Sequence, residues 1–245
     1  MRLTRVFVDA ELTAGRLIEL PADTASHVAK VLRARGGDAL TVFNGRGGEF
    51  AGSIETVRGG RVSVALAAEV PVERESPLQL TLLQCVPRGD RMDFIVQKAT
   101  ELGVTRILPI LSQRSVVRLD ADQAESKAAH WRAVAVSACE QCGRNRLPSI
   151  EAPRQLLKVL GDAPPPEGTR LVLEPDDEAD EKGWNGAPRM EIAIGPEGGF
   201  APDELEALRV SGFYRVTLGP RILRAETAAI AAVTWLQTRF GDMHA

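Results

Sequence analysis

Apolar and polar positions alternate in short runs through the first 70 residues, at 5–9, 16–20, 39–43, 49–57 and 61–66. Period-two alternation over so few residues predicts half-buried strands. Glycine-rich stretches at 44–48 and 58–60 stand between them and suit hairpin connections. One segment breaks the pattern. Val28, Val31 and Leu32 fall on one helical face, predicting a helix over 22–34. Asp23, Thr24 or Ser26 could start it, and Gly36-Gly37 stops it. Many short strands with glycine turns point to a small β-barrel.

The pattern changes after residues 71–77, a polar stretch bounded by prolines that reads as a linker. Apolar strand-like runs then occur at 78–86, 104–111, 169–173, 190–194 and 213–218. Helical spacing occupies 91–102, 122–142, 202–211 and 225–240. Strands alternating with helices predict an α/β domain with a mainly parallel sheet. Residues 161–168 and 175–186 read as surface loops, and no internal repeat is visible.

Composition narrows the class. Apolar residues make up 44% of the 245 positions and charged residues 26%, ordinary for a globular chain and too apolar for a disordered one. The longest strongly apolar stretch, 228–233, is far short of a membrane span, and no secretory signal precedes the first strand. The expectation is a cytoplasmic protein. The net charge of −3 hides an uneven distribution: +3 over 84–146, −8 over 151–212 and +2 over 213–245. A polyanion is recognised by local positive patches, so an acidic total does not exclude one. Three cysteines are too few for a disulfide framework, and three scattered histidines offer no metal site. Cys139 and Cys142 have redox-pair spacing, but they sit near the end of a helical pattern with no second ligand pair for zinc.

Three motifs carry candidate chemistry. Ile194-Gly195-Pro196-Glu197-Gly198-Gly199-Phe200 joins a strand to a helix. Glycines there let the backbone approach a ligand, and a helix start offers free N–H groups. Glu197 would repel a phosphate, so a nucleoside fits better than a nucleotide. Leu218 to Ala228 (LGPRILRAETA) is a second strand-to-helix junction, with three charged side chains among its last eight residues. Glu140-Gln141-Cys142-Gly143-Arg144-Asn145-Arg146 ends a helix in two arginines, whose forks suit phosphate. Hydrolase-elbow and H-E-x-x-H patterns are absent, and aromatics are too few for a base-stacking platform.

Together, and in this order after a short β domain, these motifs resemble the bacterial 16S ribosomal RNA uracil-N3 methyltransferase family of the SPOUT superfamily. The likeness extends to His27–Arg33, Gln97–Val104 and Glu140–Pro148 and covers nearly the whole chain. Ala225 departs from it, standing where the family often has threonine. The resemblance implies an α/β fold: a PUA-like RNA-binding β-barrel at 1–72 and a trefoil-knotted SPOUT methyltransferase domain at 73–245, working as a homodimer. It implies S-adenosyl-L-methionine as cofactor, no metal, and 16S ribosomal RNA as partner, in the assembled small subunit.

Mapped onto this chain, the cofactor site implied by the resemblance is Leu173, Glu174, Pro175, Ile194, Gly195, Pro196, Glu197, Gly198, Gly199, Leu218, Gly219, Ile222, Leu223, Thr227 and Ala228. Uridine N3 carries a proton and must lose it to become a nucleophile. Arg224 is the candidate for stabilising charge at the uracil carbonyls. Glu226 is a candidate base, or else a helix-start carboxylate orienting Arg224 or Arg221. Expected phosphate contacts are Arg2, Arg5, Arg33, Arg35, Arg88, Arg114, Arg144 and Arg146. Two other functions stay open: a non-catalytic ribosome-associated RNA-binding protein, and a methyltransferase acting on another RNA.

Overall fold

The computed structural model describes residues 4–162, 167–175 and 184–244. The chain forms two units. One takes Met1–Glu75 together with Val136–Leu147, and the other takes Ser76–Ala135 and Pro148–Ala245. The boundary thus falls at 75/76, not at the expected 72/73, and a segment from mid-chain joins the first unit.

In the first unit, β1 (Thr4–Phe7), β2 (Leu17–Glu19), β3 (Ala39–Phe43), β4 (Glu49–Arg58) and β5 (Arg61–Val70) form one sheet in the order β1-β3-β4-β5-β2. β1 runs parallel to β3, and the other pairs are antiparallel. The edge strands β1 and β2 share no ladder among the described residues. Val6, Leu20, Val28, Leu40, Val42, Ile54, Val62 and Val64 pack into one cluster. The helix over 22–34 is not continuous. A short α1 (Ala22–Ser26) passes into a π-helical turn, His27–Val31, and Arg33 then reverses the chain at φ 52°. Pro21 stands at the N-cap, with no side-chain bond from Asp23, Thr24 or Ser26.

The second unit is built around a parallel sheet. β6 (Gln79–Cys85), α2 (Arg91–Glu101), β7 (Arg106–Leu111), α3 (Ala121–Cys142), β8 (Ser149–Ile150), β9 (Arg154–Gln155), α4 (Leu156–Asp162), β10 (Thr169–Leu173), β11 (Arg189–Ile194), α5 (Pro202–Val210), β12 (Phe213–Val216) and α6 (Ala225–Phe240) follow in turn. The strand order is β12-β10-β11-β6-β7-β8, with β9 beside β7. Successive side chains leave opposite faces. Leu80 and Leu82 join α2, α6 and Trp131 in one core layer, while Leu83 and Cys85 join α4 and α5 in the other. No helix among the described residues is long and apolar enough to cross a membrane.

The mid-chain segment explains the displaced boundary. Gly143 ends α3 with φ 96°, a conformation that favours glycine. Arg144 then pairs with Glu75, Arg146 with Glu73, and the Asn145 amide donates to the Val72 carbonyl. The supposed linker is therefore bonded along its length. Glu140 accepts the Phe7 N–H at 3.0 Å, satisfying a donor on the edge strand β1.

Candidate functional site

Strand register brings three loops to one place. Leu173 pairs with Ile194 on one side and Val216 on the other, so β10, β11 and β12 end at the same level. β10 is followed by β11 on one flank and β12 on the other, which opens a crevice at the carboxyl ends of the strands. The crevice has a volume of about 600 Å³ with its open mouth and is lined by Leu173, Glu174, Pro175, Ile194, Gly195, Pro196, Glu197, Gly199, Leu218, Gly219, Ile222, Leu223 and Ala228. These are thirteen of the fifteen mapped cofactor positions. The other two lie off its wall. The Gly198 carbonyl instead accepts from Arg114 Nη1 at 2.8 Å, and Thr227 is exposed on the first turn of α6. Thr217, Arg221 and Ala225 also line the crevice. They flank or sit within the LGPRILRAETA motif, the signal that could have found them.

The walls fit a cationic nucleoside. Leu173, Ile194, Leu218 and Leu223 supply apolar surface, while Glu174 and Glu197 outnumber the single guanidinium of Arg221. The glycine loop is braced from outside. Glu204 is 1% exposed and accepts two backbone N–H groups, from Ala201 and Gln113, each at 2.9 Å. Arg91 Nη1 donates to Glu197 Oε1 at 2.8 Å.

Arg224 and Glu226, the catalytic candidates, do not line the crevice, although Ala225 between them does. Arg224 is the exposed N-cap of α6. Glu226 forms no ion pair with Arg221 or Arg224, so the reading that it orients either of them is corrected. Its ion-pair partner is Arg91, with Nε 4.0 Å from Oε1. Glu226 Oε2 is buried without a hydrogen-bond partner.

The expected phosphate contacts divide. Arg33, Arg35 and Arg88 are exposed and form no ion pair with the described residues. Arg146 is exposed but paired with Glu73, and Arg114 is exposed with its bond to Gly198. Arg5 and Arg144 are not surface contacts. The Arg5 guanidinium is buried against Glu49 and donates to Asn145 Oδ1 at 2.7 Å; Arg144 is buried against Glu75. Guanidinium groups so enclosed do not present themselves to a phosphate at the surface. Arg2 lies outside the described residues. Hydrogen bonding with Cys142, together with burial, pushes the Cys139 thiol well above the ordinary thiol range.

Comparisons with known proteins agree with this geometry. Residues 74–237 match the family described as RNA methyltransferase domain, and residues 20–66 match the RNA methyltransferase PUA domain. A ribosomal RNA small subunit methyltransferase E from Buchnera aphidicola (subsp. Schizaphis graminum) is 33% identical over 247 residues, covering 99% of this chain and 98% of its own. A methyltransferase of Legionella pneumophila, solved in complex with the bound cofactor SAM, is 38% identical with a TM-score of 0.93, over 99% of this chain and 100% of the other. A Neisseria gonorrhoeae ribosomal RNA small subunit methyltransferase E bound to S-adenosyl methionine is 35% identical with a TM-score of 0.90, over 99% and 100%.

Proposed function

This chain belongs to the RNA methyltransferase family that includes ribosomal RNA small subunit methyltransferase E, and from that premise we propose that it methylates N3 of a specific uridine in 16S ribosomal RNA. S-adenosyl-L-methionine is the methyl donor. The observation that carries this reading is the convergence of three strand-end loops on one acidic, apolar-walled crevice.

The crevice would hold the donor's adenosine against Leu173, Ile194, Leu218 and Leu223, with Glu174 and Glu197 complementing its positive charge. The donor supplies a methyl group on a sulfonium sulfur, which keeps the C–S electron pair. The chain's own task is to free N3. The Glu226 carboxylate accepts the N3 proton, and the released electron pair forms the new N–C bond. Arg224 stabilises the negative charge spread onto the uracil carbonyls. Holding N3 in line with the methyl carbon supplies the remainder through proximity.

Around this site we place a trefoil knot, a homodimer and the small subunit as substrate. α6 packs with α2 on the face opposite α5, so the chain leaving β12 must pass the ends of β10 and β11 to reach it. Residues 176–183, between β10 and β11 in sequence, lie outside the described residues. Ile222, 84% exposed on a crevice loop, supports a partner subunit there. Arg33, Arg35, Arg88, Arg114 and Arg146 are the phosphate contacts kept from the sequence reading, and they position RNA without reading its sequence.

The test is methyl transfer from labelled S-adenosylmethionine to small subunits from a strain lacking this gene, with nucleoside mass spectrometry of the product. N3-methyluridine in 16S RNA is expected, and Arg224→Ala should abolish it while donor binding persists. Methylation of another base or RNA, or near-normal turnover of Arg224→Ala, would sink the corresponding part of the reading.

A further inference from the structure

One cation joins the glycine loop to the start of α6 and has no role in the reaction as described so far. Arg91, the first residue of α2, donates to Glu197 at 2.8 Å and stands 4.0 Å from Glu226 Oε1. Stability does not account for it. Its side chain is 42% exposed and that of Glu197 41%, and such solvent-screened pairs contribute at most about 1 kcal/mol.

Glu226 is in a different position. Its side chain is 17% exposed, Oε2 is buried with no hydrogen-bond partner, and the N-cap of α6 makes no side-chain hydrogen bond. The cation nearest that carboxylate is the Arg91 guanidinium, with Nε 4.0 Å from Oε1. Arg221 and Arg224, closer in sequence, form no ion pair with it. The cation that does so comes from another helix.

We infer that Arg91 is a positioning residue for methyl transfer, acting through Glu226 to fix the orientation of its carboxylate. The inference rests on the reading of Glu226 as the acceptor of the N3 proton. Arg91 touches neither the crevice nor, on this account, the RNA. Its tie to Glu197 would place donor loop and base on one anchor, but the catalytic effect runs through Glu226.

The test compares Arg91→Ala, Arg91→Lys, Glu226→Gln and the double variant Arg91→Ala/Glu226→Gln. Donor Kd is read by calorimetry, and kcat at saturating donor with small subunits as acceptor. The expected result for Arg91→Ala is a kcat lower by about 10²-fold, the scale of general-base catalysis, with donor Kd within about threefold of the parent. Arg91→Lys retains more of the rate, and millimolar guanidinium restores part of it to Arg91→Ala. The double variant is no slower than Glu226→Gln alone and is not rescued, because two residues acting as one unit do not add. Near-parental kcat in Arg91→Ala overturns the inference. So do losses that multiply in the double variant, and so does a lost donor affinity with kcat intact, which would confine Arg91 to the Glu197 loop. Full activity of Glu226→Gln would instead remove the base assignment itself, and the two failures are thereby told apart.

Discussion

Replacing Glu75 by glutamine removes one charge from an enclosed pair and leaves the Arg144 guanidinium buried without its carboxylate. The side chains of Arg144 and Glu75 are 5% and 12% exposed. Arg144 Nε lies 3.2 and 3.0 Å from the two carboxylate oxygens, and Nη2 lies 2.6 Å from Oε2. Breaking a buried pair from one side costs about 3–5 kcal/mol, because the remaining charge keeps its desolvation cost. Glutamine retains one acceptor, so about 3 kcal/mol is expected, a large share of the 5–15 kcal/mol that holds an ordinary domain. All three tryptophans, Trp131, Trp184 and Trp235, belong to the second unit, so their fluorescence does not report this event. Amide hydrogen exchange in β4 and β5 does, and should accelerate about 10²-fold while exchange in β6 and β11 is unchanged. The double replacement Arg144→Met/Glu75→Leu should recover most of the loss, since apolar pairs of similar volume often replace buried ion pairs without cost. Acceleration below about fivefold for Glu75→Gln would refute the reasoning. Should Arg144→Met weaken RNA binding with exchange unchanged, Arg144 would be the phosphate contact that its sequence context suggests.

Three further outcomes are expected. Glu204→Gln turns an amide N–H₂ toward a backbone donor in a buried site, and should destabilise the second unit by about 2–3 kcal/mol in urea unfolding followed by tryptophan fluorescence, with weaker donor binding. Burial pushes the Glu49 carboxyl up, but hydrogen bonds from Arg5 and Arg74 outweigh it and hold it below the ordinary range. A depressed folded value contributes stability above the unfolded pKa that is lost as pH falls through the folded one. The first unit should therefore weaken in a titration below about pH 4, and Glu49→Gln should flatten that limb. Gly52→Ala would set a Cβ 2.8 Å from Val64 Cγ1 and 3.3 Å from Leu40 Cδ1, so overpacking of about 1–3 kcal/mol should appear in the exchange of β3 and β5.

Periodicity located the long elements well because their burial is one-sided. The reading of 225–240 as helix matches α6, and 91–102 overshoots α2 by one residue. It failed where a structure is made by tertiary partners. The turn at His27–Val31 has helical residue types throughout, and it is the bonds from Leu32 N to His27 O and from Ala34 N to Val28 O, with the positive φ of Arg33, that betray it. α4 was missed, being seven residues with one buried position. The loops that line the crevice were legible because glycine and proline sit at strand ends. The arginines were not. Arg5 and Arg33 look alike in sequence, yet the first pairs with a carboxylate 44 positions away and the second with none among the described residues. Charge type is local information, while charge pairing is not.

The segment Val136–Leu147 has a consequence for the order in which the molecule can be made. Synthesis delivers an N-terminal domain first, and such domains commonly fold while the remainder is still being translated. Here residues 4–75 emerge with Glu73 and Glu75 unneutralised, Arg5 lacking Asn145, and the Phe7 N–H lacking Glu140. Their partners leave the ribosome some 70 residues later, after the first part of the other unit. The N-terminal sheet is therefore not a detachable cassette. Transplanting it to another protein requires two pieces of chain, and a nascent chain arrested before residue 147 holds an incomplete unit whose unpaired charges wait on translation.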